Sequence, residues 1–135
     1  MAKVMGDAID RMVFLPGQDR PNYLGWLTCA TLAHDPIGYG GGANTIYDAV
    51  GMGTPVVTSP GRFHRGGWAT MTLERLGLSE LAEGDPVTTA VQLLTQPERV
   101  QAIRSRPKAS AGSLLEDPQA IAEHRELFMS GGISR

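Results

Sequence analysis

The sequence has little of what several classes of protein require. Its single cysteine, Cys29, excludes an internal disulfide and a CxxC metal pair, and it favours a reducing cytoplasm. No run of about 18 apolar residues is present, so we predict no membrane-spanning helix. Basic and acidic residues number 12 and 14, which excludes a strongly basic surface for nucleic acid or anionic lipid. We therefore expect no nucleic-acid and no membrane partner.

Metal-binding and export signals are also missing from the sequence. The three histidines are scattered, without an HxxxH or HExxH pattern, so we predict no metal site and no metal cofactor. The first residues, MAKVMGDAIDR, are charged and short of apolar residues, which is not typical of a signal peptide. What remains is an ordinary globular composition, with 41% hydrophobic residues in a chain of 135, enough for one core.

Short apolar strands alternate with helices along the chain. Strands are predicted at residues 12–15, 31–35 and 56–58, and they are continuous apolar runs, typical of a parallel sheet covered on both faces. We predict an α/β fold, with a partial Rossmann-like parallel sheet flanked by helices and a wholly helical C-terminal third. Three strands are few for a complete doubly wound domain. Helices are predicted at 19–30, 43–52, 68–77, 85–94, 97–108 and 117–129.

A glycine-rich stretch, GYGGGANTIYDAVGMGTPVV, follows the second predicted strand. A strand, a glycine loop and a helix in that order direct backbone N–H groups and the helix dipole at the loop, which favours a phosphate. Thr45 and Asp48 lie on one helix face, where a hydroxyl can donate to a phosphate and a carboxylate can accept from a ribose. The other interpretation is a tight turn, with Asn44 as helix cap and Asp48 solvated. The spacing alone leaves both open, because neither GK[ST] nor a usual GxGxxG is present.

Residues 10–82 carry a resemblance in the run FLPGQDRPNYLGWLTCATLAHDPIGYGGGANTIYDAVGMGTPVVTSPG. It resembles the C-terminal catalytic half of the O-GlcNAc transferase/SPINDLY-like glycosyltransferases of the GT-B fold. Their pattern combines a strand ending in FLP, a [RK]xxYL helix, a DP loop and a glycine-rich turn before PVVT. The resemblance implies a domain that binds the nucleotide of a nucleotide sugar, of the UDP-GlcNAc type, in an inverting protein O-glycosyltransferase.

The resemblance also implies individual roles. The helix start would bind the diphosphate, Asp48 the ribose, Arg20 the base or ribose region, and Tyr23 would lie near the uracil. Arg62 and Arg65, in the loop PGRFHRGGW, are candidates to steady the leaving diphosphate, although a solvated loop explains them as well. No catalytic residue is assigned. The residues of the expected diphosphate-binding helix start are Gly41, Gly42, Ala43, Asn44 and Thr45.

The sequence departs from the family pattern at two positions of this site. Ala43 stands where some members carry a phosphate-binding histidine, and Asn44 stands where threonine is usual. Gly67 stands where another arginine is frequent. The half that holds the acceptor-side groups is not recognisable here, nor is the lysine that neutralises the diphosphate. We therefore expect the chain to bind the donor but to be inactive alone, with a protein acceptor bound only by the intact enzyme.

Two further functions stay open at this point. The chain could be a non-catalytic remnant or interaction module that forms homodimers through an exposed sheet edge or apolar face. It could also be an unrelated α/β domain that binds another nucleotide or phosphate. We divide the chain into an incomplete nucleotide-sugar-binding domain, residues 1–112, and a C-terminal helix with a frayed tail, residues 113–135. His34 and Cys29 are predicted to be buried in the core.

Overall fold

A computed structural model describes residues 6–36, 41–115 and 117–130 of the chain. After a short 3₁₀ helix, Gly6–Arg11, the regular elements begin with helix α1 and strand β1. The remaining order alternates once more and then becomes purely helical. The elements are α1 (Arg20–Cys29), β1 (Ala33–His34), α2 (Gly42–Gly51), β2 (Val56–Val57), α3 (His64–Arg75), a 3₁₀ turn (Ser79–Leu81), α4 (Pro86–Leu94), α5 (Pro97–Leu115) and α6 (Pro118–Met129).

The described sheet is small and parallel, as the apolar runs predict. Ala33 of β1 lies opposite Val56 of β2, and His34 lies opposite Val57. Backbone bonds extend the ladder at both ends, from the Ala33 N–H to the Pro55 carbonyl and from the Asp35 N–H to the Val57 carbonyl. The α/β class is confirmed as a mostly helical fold around this two-stranded sheet. Residue 112, our predicted domain boundary, lies within α5, and the division itself stays a prediction.

The predicted strand at residues 12–15 is wrong. In the structure this segment has no regular secondary structure, and Val13 and Phe14 are 82% and 67% exposed. A buried parallel strand needs a hydrogen-bonded neighbour, and β1 and β2 pair with each other instead. The apolar run has the composition of a strand but no partner among the described residues.

The core lies between α2, β2, α3 and the helices that follow. Helix α2 buries one face, made by Ile46, Ala49 and Val50, as its helical spacing predicts. It packs against α1, α3 and α5. The largest fully buried apolar side chains are Ile46, Val57, Leu73, Leu78, Leu81 and Leu93. This core positions α2 and β2, and with them the described residues at their ends.

Candidate functional site

The chain leaves both strands of the sheet at the same end, the carboxyl end, which is called the edge of the site below. In a parallel pair the carboxyl ends of both strands lie together, so the loop after β1 and the loop after β2 are neighbours. Helix α2 begins at the end of the first loop, and α3 begins at the end of the second. Ligands of open α/β sheets bind beyond the carboxyl ends of the strands, so a binding site is expected here.

The start of α2 depends on two glycines. Gly42 has a φ of 76°, in the left-handed region where a glycine is favoured. Gly41, the residue before the helix, lies so close to its neighbours that a Cβ there would be 2.9 Å from Asp35 Oδ1 and 3.0 Å from Thr45 Cβ. Asn44 is not the cap, since α2 already begins at Gly42. The other loop glycines, Gly38 and Gly40, lie outside the described residues.

A buried carboxyl group ties the two loops together. Asp35, directly after β1, is 6% exposed. Its Oδ1 accepts a hydrogen bond from the Gly41 N–H, and its Oδ2 accepts one from Thr58 Oγ1 at 3.0 Å. Sequence reasoning missed this role. The signal was an aspartate between an apolar strand and a glycine-rich loop, a position from which its side chain can reach the next helix start.

Helices α1 and α2 are joined by an ion pair between two of the predicted site residues. Arg20 Nη2 lies 2.8 Å from Asp48 Oδ1, and Arg20 Nη1 lies 3.4 Å from Asp48 Oδ2, so the ion pair is bidentate. The side chain of Asp48 is 14% exposed, whereas that of Arg20 is 69% exposed. The carboxylate is therefore held in place on the protein, and the guanidinium faces solvent.

A cavity of about 430 Å³ opens beside this ion pair, within the size range of small-molecule sites. Tyr23, the predicted neighbour of the base, does not line this cavity and lies instead in an apolar groove with Leu15 and Trp26. Burial raises the pKa of its phenol above 10.0, the Asp48 charge raises the pKa further and Arg20 opposes the rise. An apolar wall and a charged pair thus face one space. The cavity is lined by Arg20, Leu24, Asn44, Tyr47, Asp48, Gly51 and Met52.

The first turn of α2 carries the other predicted diphosphate ligands. Asn44 and Thr45 are exposed and Ala43 is half-buried. The Thr45 hydroxyl donates to the Gly41 carbonyl at 3.1 Å, so its proton lies within the helix start. The structure therefore brings together Arg20, Asn44 and Asp48 around the cavity, whereas Thr45, the next residue after Asn44 in the helix, does not line it.

Of the two arginines after β2, the structure describes only the side chain of Arg62. Arg62 is exposed in the loop, and no hydrogen bond or ion pair between described residues joins it to the cavity. Arg65 is the second residue of α3, and its side chain is outside what the structure describes. At the start of α3 the His64 ring instead packs edge-on against Trp68, with ring centroids 5.3 Å apart.

Two other predictions about single residues are wrong. His34 is exposed, because the core covers β1 less completely than β2: Val56 and Val57 are both buried, whereas Ala33 is only half-buried. Cys29 is exposed as well, since α1 is only partly covered and none of its residues is fully buried.

The described residues hold no cluster of three or more histidine, cysteine, aspartate and glutamate side chains suited to a metal ion. None of the described helices has the length and apolar character needed to cross a membrane.

Chemically, the arrangement offers acceptors and donors for a polar, anionic ligand. Asp48 keeps lone pairs beyond the two used by Arg20, because a carboxylate has about four acceptor positions. The start of α2 supplies the positive end of a helix dipole at the same edge. Nothing in the described site resembles a nucleophile paired with a base.

Comparisons with known proteins give one informative likeness. No protein-family model matches the chain, and no curated protein matches it either. A solved structure of a mutant O-GlcNAc transferase from Thermobaculum terrenum superposes with a TM-score of 0.77 and 24% sequence identity, over 88% of this chain and 24% of the transferase chain. The chain thus spans about a quarter of that transferase's length. It has a glycosyltransferase-like fold, and at this identity the likeness bears on the fold alone.

Proposed function

We propose that the chain binds the nucleoside diphosphate of a nucleotide sugar, of the UDP-GlcNAc type, at the edge where α2 begins. The observation that supports this proposal most is the cavity beside α2, which is lined by Arg20, Asn44 and the largely buried Asp48 side chain. The fold supports the proposal, because it is that of part of an O-GlcNAc transferase. We further propose that the chain is related to the O-GlcNAc transferase/SPINDLY-like enzymes and has a Rossmann-like origin.

In this proposal each part of the site binds one part of the donor. The first-turn N–H groups of α2 bind the diphosphate together with the Asn44 amide and with the Thr45 hydroxyl, which turns away from the Gly41 carbonyl to donate to a phosphate oxygen. Asp48 accepts from the ribose hydroxyls while it keeps its contact with Arg20. Tyr23 and Arg20 border the base. Arg62 and Arg65 are proposed to reach the diphosphate when a ligand is present.

The reaction of the intact enzyme would be inverting transfer of the sugar to a protein hydroxyl. The contribution of this chain would be positioning of the donor and stabilisation of the negative charge on the leaving diphosphate, without a metal ion. We propose a cytoplasmic location and no transfer by the chain alone. Turnover of UDP-GlcNAc by the isolated chain at an ordinary catalytic rate would contradict the last point.

Calorimetric titration with UDP tests the proposal. We expect micromolar binding by the unmodified chain. Asp48→Ala should weaken binding by about tenfold to a hundredfold, since it removes a charged hydrogen-bond acceptor. Thr45→Ala should weaken it by about threefold to tenfold. Arg20→Ala is expected to weaken it as well, because the guanidinium holds Asp48 and borders the base.

The chain offers matched controls for these variants. Thr28, like Thr45, is exposed, and its hydroxyl donates to the carbonyl four residues earlier in its own helix, at 3.0 Å. Arg75, like Arg20, is an exposed arginine in an ion pair, with Asp117 at 3.1 Å. Thr28→Ala and Arg75→Ala should leave the UDP affinity unchanged. No binding at millimolar UDP, or equal losses in site and control variants, would refute the proposal.

A second candidate is an interaction module without a nucleotide site. The observation in its favour is the exposed apolar surface around α1, where Phe14 is 67% and Trp26 is 52% exposed. Such a surface would favour dimers of the chain. Sedimentation showing a stable dimer, together with no UDP binding, would favour this function over the first.

A further inference from the structure

Asp35 is a buried charged side chain that the proposed site does not use as a ligand. It is 6% exposed, and its two oxygens accept hydrogen bonds from two different parts of the chain, 6 and 23 residues further along the sequence. One bond comes from the backbone N–H of Gly41, immediately before α2. The other comes from Thr58 Oγ1, immediately after β2. Its own backbone N–H donates to the Val57 carbonyl at 2.9 Å.

Burial of a carboxyl group is costly unless its oxygens are hydrogen-bonded, so this placement requires both bonds. The bond to the Gly41 N–H also fixes the distance between β1 and the start of α2. The two residues are in close contact, because a Cβ atom on Gly41 would lie only 2.9 Å from Asp35 Oδ1. The first turn of α2 is therefore located by Asp35, and through Thr58 it is located relative to the loop after β2.

We infer that Asp35 is a positioning residue for the diphosphate part of the site: it touches no ligand, and it holds the first turn of α2 where its N–H groups meet the phosphates. The inference rests on the proposed function. It assigns a role to a residue that the resemblance to the glycosyltransferases did not single out. It also gives a reason for a buried hydrogen-bonding side chain, rather than an apolar one, at this end of the sheet.

Alternatively, Asp35 only stabilises the fold. Variants of two threonines with similar burial distinguish this role from the positioning role. Thr58 and Thr54 flank β2, and each is 2% exposed. The hydroxyl of Thr58 donates to Asp35 at the site edge, whereas that of Thr54 donates to the Leu27 carbonyl at the opposite end of the strand. Thr58→Val and Thr54→Val each remove one buried hydroxyl, but only the first weakens the tie between the loops.

The first measurement needs no ligand. Amide hydrogen exchange of Gly41, followed by NMR, should accelerate by about tenfold or more in Asp35→Ala, because the acceptor of its N–H is lost. Asp35→Asn keeps an amide oxygen for the Gly41 N–H, and the Thr58 hydroxyl can accept from its amide group, so exchange should stay near that of the unmodified chain. Unchanged exchange of Gly41 in Asp35→Ala would overturn the inference.

The second measurement compares UDP with uridine, which lacks the phosphates. Asp35→Ala should weaken UDP binding by about tenfold and leave uridine binding unchanged, with recovery in Asp35→Asn. If Asp35→Ala does not fold, Thr58→Val should weaken UDP binding by about threefold relative to uridine, and Thr54→Val should not change that ratio. Equal loss of UDP and uridine binding, or equal behaviour of the two threonine variants, would overturn the inference.

The two measurements also separate this inference from the proposed function. If the unmodified chain binds no UDP, the proposed function fails, and Asp35 loses its role towards a diphosphate whatever the exchange data show. If UDP binds and Asp35→Ala speeds Gly41 exchange without changing the preference for UDP over uridine, the proposed function stands and the inference about Asp35 is wrong.

Discussion

Two adjacent glycines in the first turn of α3 have opposite surroundings. A Cβ on Gly66 would lie 2.9 Å from the Gly61 Cα, which is backbone and cannot move aside easily. A Cβ on Gly67 would have no neighbouring atom within 4 Å. The loop after β2 is thus closed by a glycine–glycine contact at position 66, whereas position 67 has room for a Cβ atom.

This contrast predicts opposite effects of one substitution. Gly67→Ala should raise the free energy of unfolding by about 0.5–1 kcal/mol, because alanine is the better helix former. Gly66→Ala should lower it by about 1–3 kcal/mol, because the loop must shift to admit the methyl group. Urea unfolding followed by circular dichroism measures both. Similar changes in the two variants would show that the Gly61–Gly66 contact is not as close as described.

Three helices begin with an aspartate cap followed by a proline in the first turn. The side chains of Asp19, Asp85 and Asp117 each accept a hydrogen bond from a first-turn N–H of α1, α4 and α6, respectively. All three starts were predicted from the sequence, because capping depends on residues only two or three positions apart. Asp117 has a second partner, Arg75 of α3 at 3.1 Å, which attaches α6 to the rest of the fold.

These caps predict a loss of stability in acid. Bonds from Thr88 lower the pKa of Asp85 from its ordinary 3.8, and bonds led by the Ala120 N–H lower that of Asp117. A lowered folded pKa adds stability that is present above the unfolded pKa and is lost as pH falls through the folded one. The free energy of unfolding should therefore fall between about pH 4 and pH 2.

Asparagine provides the control for the acid effect. Asp85→Asn keeps a cap oxygen but does not titrate, so its unfolding free energy should fall less steeply over the same range. Equal slopes for Asp85→Asn and the unmodified chain, measured by urea unfolding at several pH values, would contradict the role given to Asp85.

Elements that depend on distant parts of the chain were predicted less well. Residues 12–15 have the composition of a strand, but a strand also needs a partner, and no local pattern reveals one. The exposure of His34 and Cys29 was missed for the same reason. Of the site, the helix start followed from spacing to within one residue, whereas the common face of Thr45 and Asp48 stays a prediction, since Asn44 rather than Thr45 lines the cavity with Asp48. The Arg20–Asp48 pair and the role of Asp35 came from tertiary contacts that spacing does not encode.

At the scale of the molecule the chain has a glycosyltransferase-like fold, which matches 24% of the length of the Thermobaculum terrenum transferase chain. The exposed large apolar residues of its described part lie mainly in three regions: beside and on α1, on α4 and on α6. Their members include Val13 and Trp26, then Val87, Val91 and Leu94, and then Leu127, Phe128 and Met129. The candidate nucleotide site lies on none of these regions, because its cavity is lined by one end of α1 and the exposed face of α2. Donor binding and contacts with other chains can therefore be tested separately.

The central claim is that the start of α2 and the adjoining Asp48 bind a nucleoside diphosphate. NMR titration of the isotope-labelled chain with UDP tests it most directly, because every amide reports its own location. We predict that shifts will concentrate at Arg20, Tyr23, Gly41–Asp48 and Arg62, while the amides of α4 and α6 stay unchanged. No shifts at millimolar UDP, or shifts in the apolar groove lined by Leu15, Tyr23, Trp26 and Leu27 without any at Asp48 and the start of α2, would contradict the account.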